Sequence, residues 1–117
     1  MLNDAYAFTV ESSYAAAHKK AIEENKIMMV FLSERGSNSC NTKLLQIIQN
    51  KKITKLIEEK AVFVVIMKDQ KESYPIEMLY SRVYPTLFFL DTDELPHCRA
   101  LHLEITNKEI SNCLQSE

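Results

Sequence analysis

Two short and almost entirely apolar segments restrict the possible folds of this chain more than any other feature. They are IMMVFL, residues 27–32, and AVFVVIM, residues 61–67. Such runs are typical of strands that are buried on both faces, as parallel strands are when helices cover both sides of a sheet. Each run is far shorter than the roughly 20 apolar residues that cross a bilayer, so the sequence predicts no transmembrane span.

Patterns typical of helices separate these strands. Residues 12–25 combine alanine with charged helix formers after a serine that can cap the first turn. Between residues 40 and 60, apolar residues recur at three- and four-residue spacing, and Asn50 breaks or bends the helical pattern. A last helix is predicted from Thr106, with Glu109 at the capping-box position.

The remaining elements complete a mixed sheet. A short helix is predicted over residues 76–83, and two strands follow, residues 86–91 and 95–103, joined by a turn within DTDE. Strands that alternate with helices pair in parallel, whereas strands joined by a tight turn are antiparallel. The sequence therefore predicts one α/β domain, residues 1–117, with a four-stranded mixed sheet and helices on both faces.

Charge and composition exclude several classes of function. Lysine and arginine number 14 against 16 aspartate and glutamate residues, and the two signs are mixed along the chain. This balance provides no basic surface for nucleic acid or anionic lipid. Residues 1–13 lack the basic and apolar regions of a signal peptide, so nothing in that stretch directs export. No cofactor is predicted.

Two segments of the chain resemble landmarks of the thioredoxin-like family. MVFLSERGSNSC, residues 29–40, resembles the strand-loop-helix corner that carries the family's redox motif. VYPTLFFLD, residues 83–91, resembles the segment that holds the family's cis-proline, with Pro85 in that role. In the order and spacing of elements the resemblance covers nearly the whole chain. It implies a thioredoxin-like fold, with a central mixed four-stranded sheet flanked by helices.

The redox motif departs from the family pattern. Active members carry C-x-x-C, whereas the corresponding residues here are Ser37, Asn38, Ser39 and Cys40. The resemblance implies that Ser37 replaces the nucleophilic cysteine and that Cys40 corresponds to the more buried resolving thiol. Disulfide exchange needs a thiolate, and a hydroxyl stays protonated at neutral pH and forms no mixed disulfide. The first step of a dithiol oxidoreductase is therefore missing.

Each candidate site residue also has a purely structural interpretation. Ser37 can cap the following helix, and Cys40 can be a small buried apolar residue. In the family, the residues around the cis-proline bind extended substrate backbone, so Tyr84, Pro85 and Thr86 form a candidate peptide-binding edge. Thr86 can equally be an ordinary strand residue.

The other cysteines and histidines leave further alternatives. Cys98 and Cys113 fall on the last strand and the last helix, so a disulfide between them is geometrically possible, but sequence does not supply the Cα separation that a bridge requires. His97 and His102 together with Cys98 suggest a metal. Along a regular strand, however, His97 and Cys98 point to opposite faces, so no metal site is predicted.

Three functions follow from these observations. The leading hypothesis is a redox-attenuated or non-catalytic thioredoxin-like protein that binds a polypeptide client or partner protein around Ser37, Cys40 and Tyr84 to Thr86. The rival is a single-thiol disulfide oxidoreductase in which Cys40 attacks and glutathione supplies the second thiol. A structural subunit or dimer that uses an exposed sheet edge is the third. Resemblance to exported members favours the periplasm if a signal peptide was removed, and otherwise the cytoplasm.

Overall fold

The structure, a computed structural model, describes residues 8–70, 79 and 81–115. Of the predicted short helix over residues 76–83, residues 76–78 and 80 lie outside the described residues, and the four described ones, Leu79 and residues 81–83, are not helical. Within them, the strands are β1 (Val10–Glu11), β2 (Ile27–Ser33), β3 (Ala61–Met67), β4 (Thr86–Leu90) and β5 (Pro96–His102). The helices are α1 (Tyr14–Glu24), α2 (Asn38–Ile48), α3 (Lys51–Lys60) and α4 (Asn107–Gln115).

The strands form one mixed sheet in the order β1-β3-β2-β4-β5. The two apolar segments, β2 and β3, are parallel central strands, and β4 and β5 are antiparallel to their neighbours. The predicted α/β class and strand directions are confirmed. The sheet has one strand more than predicted, because β1 contributes only two residues, too few to show any hydrophobic period.

Side-chain caps set the helix boundaries. Asn50 ends the first helical pattern and caps α3, since its Oδ1 accepts a hydrogen bond of 3.0 Å from the main-chain N–H of Ile53. The Thr106 hydroxyl accepts from the N–H of Glu109 at 3.1 Å and lies 3.0 Å from that carboxylate. The predicted break at Asn50 and the predicted cap at Thr106 are confirmed, and the serine that caps α1 is Ser13.

The sheet divides the core into two layers. On one face, β-strand side chains such as Met28 and Val64 pack against α1. On the other face, residues including Phe31 and Phe63 pack against apolar side chains of α2, α3 and α4. The central strands are thus covered on both sides, as their composition predicts. No helix in the described part of the chain has both the length and the apolar character to span a bilayer.

Candidate functional site

A tight turn connects the end of β2 to the start of α2. The main-chain N–H of Ser37 donates to the carbonyl of Glu34 at 3.2 Å, and Gly36 between them has φ +78°. Glycine adopts positive φ without steric cost, so the one glycine of the sequence lies where the turn requires it. This turn and the first residues of α2, residues 34–40, are called the corner below.

Ser37 is the N-cap of α2. Its Oγ accepts a hydrogen bond of 3.2 Å from the main-chain N–H of Cys40, and its carbonyl accepts from Asn41 at 3.1 Å. The capping interpretation of Ser37 is therefore confirmed. The hydroxyl occupies the position where amides and the helix dipole would favour an anion.

Cys40, the third residue of α2, is fully buried, with 0% of its surface exposed. Its Sγ lies 3.5 Å from the main-chain N–H of Glu34, which donates to it across the turn. It is the free cysteine of the chain, because Cys98 and Cys113 are bonded to each other. A reagent can reach this thiol only when the corner opens.

Two ion pairs tie the corner to the residues after β3. Lys68 Nζ lies 2.8 Å from a carboxylate oxygen of Glu34, and Arg35 Nε lies 3.3 Å from Asp69. The hydrogen bond with Glu34 raises the pKa of Lys68. The same ammonium lies 5.1 Å from the centroid of the Tyr84 ring. Lys68 therefore links the corner to the segment around Pro85.

The candidate edge around Pro85 is largely internal. The Tyr84–Pro85 peptide bond is cis, and Pro85 is buried. Thr86 is 0% exposed, and its hydroxyl donates to the Val83 carbonyl at 2.8 Å and lies 3.0 Å from Nδ1 of His102. The Thr86 side chain is thus occupied inside the protein. The described pairing of β4 begins at Thr86, so the main chain of Tyr84 lies outside that ladder.

A shallow groove joins the corner to the Pro85 segment. Its cavity volume is about 470 Å³. One wall is α2 and the other consists of Pro85 and the two residues after β5. The lining residues are Asn38, Ser39, Thr42, Lys43, Gln46, Pro85, Leu103 and Glu104. The structure therefore brings the two sequence landmarks together, although Ser37, Cys40, Tyr84 and Thr86 do not line this groove.

Leu103 and Glu104 form part of the groove wall opposite α2, and the sequence gave no indication of them. They follow β5 and reach α2 only through the sheet, because the N–H of Leu103 donates to the Pro85 carbonyl at 3.0 Å. Leu103 has φ 57° and is 53% exposed, which is unusual for a large apolar residue. The sequence prediction placed Leu103 inside the strand over residues 95–103, so no sequence signal marked it as part of this wall.

The last strand and the last helix are joined by a disulfide between Cys98 and Cys113. The S–S distance is 2.11 Å and the Cα atoms are 6.1 Å apart. The sequence left this bond as one alternative. Cys98 is four positions along β5 from His102, roughly 13 Å at ordinary strand rise, so the bond belongs to a different part of β5 from the groove.

Comparison with known proteins identifies the fold. No protein-family model and no curated protein sequence matches the chain significantly. Similar solved structures include the DsbH oxidoreductase, with TM-score 0.75, 17% identity, and coverage of 97% of this chain and 89% of that chain. A thioredoxin from Thermus thermophilus gives TM-score 0.74 and 16% identity over 93% of this chain and 86% of its own.

A poplar thioredoxin h gives TM-score 0.73 and 19% identity over 92% of this chain and 98% of that chain. Identities this low show the fold alone. The chain has a thioredoxin-like fold, as its two sequence landmarks imply.

Proposed function

We propose that this chain is a redox-attenuated or non-catalytic thioredoxin-like protein that binds a polypeptide client or partner protein. The observation that carries the proposal is the groove between α2 and Pro85, which lies beside a helix start capped by a serine. In this proposal Ser37 occupies the first position of the C-x-x-C motif and Cys40 the last.

The corner supports loss of the attacking thiol. In disulfide exchange, a thiolate attacks one sulfur of the client, forms a mixed disulfide and releases the other sulfur as a thiolate. The Ser37 hydroxyl forms no such bond, and it already accepts the Cys40 N–H. Cys40 is fully buried, so no exposed thiol stands at the helix start.

The groove has the chemistry of a surface that binds extended polypeptide. Four uncharged polar side chains of α2 can hydrogen-bond to a main chain, while Leu103 offers one exposed apolar contact. Lys43 and Glu104 place opposite charges in the same groove. The Tyr84 main chain, outside the described ladder, can pair with an added strand.

The experiment that tests the redox part follows reduction of a protein disulfide by dithiothreitol. Wild type should give no rate above the uncatalysed reaction, and Ser37→Cys, which restores two thiols at i and i+3, should gain one. Cys40→Ser is the control. If wild type turns over and Cys40→Ser abolishes turnover, the single-thiol oxidoreductase is correct and the proposal is wrong.

The binding part requires a test without thiol chemistry. The probe is an unfolded polypeptide whose thiols are blocked, and binding is followed by fluorescence anisotropy. Thr42→Arg, which fills the groove, should weaken binding at least about tenfold, equivalent to ~1.4 kcal/mol. Asn41→Arg adds the same charge at an exposed neighbouring position outside the groove lining and should change binding little. Equal effects of the two variants, or no binding by wild type, would contradict the proposal.

A further inference from the structure

The strand β5 is irregular where it carries His97. Leu90 pairs with Pro96 and Phe89 pairs with Cys98, so one step along β4 corresponds to two steps along β5. His97 is the extra residue of a β-bulge. Because a bulge interrupts the alternation of side chains, the prediction that His97 and Cys98 point to opposite faces does not hold here.

The bulge groups three potential metal ligands. The ligand atoms of His97, Cys98 and Cys113 all lie within 4.8 Å of one another. His97 and Cys98 are partly exposed and Cys113 is buried. Among the residues that the structure describes, this is the one group of three or more histidine, cysteine or acidic side chains with such spacing.

We propose that reduction of the Cys98–Cys113 disulfide creates a site for Zn²⁺ with His97, Cys98 and Cys113 as ligands. Zinc binds thiolate sulfur at about 2.3 Å and imidazole nitrogen at about 2.0–2.1 Å, so tetrahedral ligand atoms lie about 3.5–3.8 Å apart. Small side-chain movements bring the three groups to that spacing. Three protein ligands leave the fourth position to water.

The redox step balances without any group held by the protein. A dithiol reductant gives two electrons and two protons to the Cys98–Cys113 bond, which becomes two thiols, and the reductant becomes a disulfide. Zn²⁺ then displaces the two thiol protons, and the two thiolates neutralise its charge. The disulfide form has no thiolate to offer, so the cystine and the zinc site exclude each other.

The surroundings leave access to this position. A cavity of about 340 Å³ borders Cys98 and Cys113, two of the three proposed ligands. Glu109 and Arg99 both line this cavity and contribute opposite charges. The Glu109 carboxylate is held by the Thr106 hydroxyl at 3.0 Å, on the first turn of α4.

The test uses Co²⁺ as a spectroscopic probe and Zn²⁺ as its competitor. In a Cys40→Ala background, which leaves only the two thiols of the site, the reduced protein is freed of reductant and titrated anaerobically with Co²⁺. We expect one equivalent to bind, with thiolate-to-cobalt charge transfer and the strong visible absorption of tetrahedral Co²⁺, and Zn²⁺ to displace it. The oxidised protein should show neither absorption.

Two histidine variants distinguish the site from unspecific thiol binding. His97→Gln should weaken binding at least about tenfold, since even the loss of a residue that only supports a ligand costs 10–100-fold. His102→Gln, on the same strand, should change affinity less than about twofold. Absence of binding, or binding that His97→Gln leaves unchanged, would overturn the proposal. Circular dichroism is recorded with and without Zn²⁺, and a reduced chain that is unfolded in both also overturns it.

Discussion

The three cysteines of this chain lie in two different settings: Cys40 is a free, buried thiol in the corner, and Cys98 is bonded to Cys113. The corner is the segment whose sequence resembles the redox motif of thioredoxin-like proteins, yet it holds one buried thiol behind a serine cap. The disulfide joins two elements that need no redox motif, and its Cys98 side is partly exposed. Position in the fold and accessibility, more than the number of cysteines, therefore decide how reactive each thiol of this chain is.

The largest expected effect concerns stability at the disulfide. Closing a loop of about 15 residues restricts the unfolded chain and is worth about 3 kcal/mol. In a Cys40→Ala background, reduction should therefore lower the free energy of unfolding by about that amount, measured by urea denaturation with and without reductant. Equal urea midpoints with and without reductant would show that the disulfide contributes no stability.

The second prediction compares the accessibility of the thiols directly. In the reduced native wild type, iodoacetamide should modify Cys98 at least about tenfold faster than Cys40, because a local opening that costs ~1.4 kcal/mol already slows reaction tenfold. Peptide mapping by mass spectrometry gives the rate at each cysteine. In about 6 M guanidinium the two rates should converge. Faster modification of Cys40 in the native state would reverse the comparison and favour a catalytic thiol.

The third prediction separates the structural role of Ser37 from any chemical one. Ser37→Ala removes the cap of α2 and should lower the free energy of unfolding by about 1 kcal/mol. Ser39→Ala, at an exposed position two residues further along, should change it by less than about 0.5 kcal/mol. Chemical denaturation of both variants is the measurement. If Ser39→Ala lowers the free energy of unfolding as much as Ser37→Ala does, the Ser37 cap does not stabilise the start of α2.

The smallest expected effect concerns the hairpin turn that leads into β5. Tyr14 is 4% exposed, and its hydroxyl donates to Glu94 at 2.7 Å, so α1 holds the turn between β4 and β5. Burial, and then the hydrogen bond with Glu94, raises the pKa of Tyr14 above its ordinary 10.0. The neutral form is favoured in the folded state. Tyr14 therefore makes its full contribution to the free energy of unfolding below about pH 10, and this contribution is lost as the pH rises above that value.

Denaturation near pH 8 and near pH 10.5 checks this sign. Between pH 8 and pH 10.5, the free energy of unfolding of the wild type should fall by up to about 0.8 kcal/mol more than that of Tyr14→Phe. Tyr84→Phe is the control, because its hydroxyl donates to the Ser81 carbonyl rather than to a carboxylate. An equal loss in wild type and Tyr14→Phe would contradict the assignment.

Local patterns predicted most of the fold. The apolar runs became β2 and β3, Asn50 divided two helices, and Thr106 with Glu109 formed a cap. Each of these depends on residues a few positions apart. The two-residue strand β1 escaped prediction because its pairing with β3 depends on residues more than 50 positions away.

The candidate site was predictable only in part, because some of its residues are neighbours in the fold but not in the sequence. Ser37 and Cys40 lie three positions apart at one helix start, so the serine cap could be inferred from the sequence. Leu103 and Glu104 reach α2 only through the assembled sheet, and the proximity of His97 to Cys98 depends on a bulge in the register of β5. The prediction that His97 and Cys98 point to opposite faces assumed a regular strand, and the bulge makes that assumption wrong here.

The irregularity of β5 also changes what this outer strand offers to another molecule. β5 is the last strand in the sheet order, and an outer strand with regularly spaced free amides is a template for pairing with another molecule. Pro96 offers no amide at its start, the extra residue His97 shifts the hydrogen-bonding register, and Arg99 adds an exposed charge. The bulge that groups the ligand atoms thus also discourages edge-to-edge aggregation.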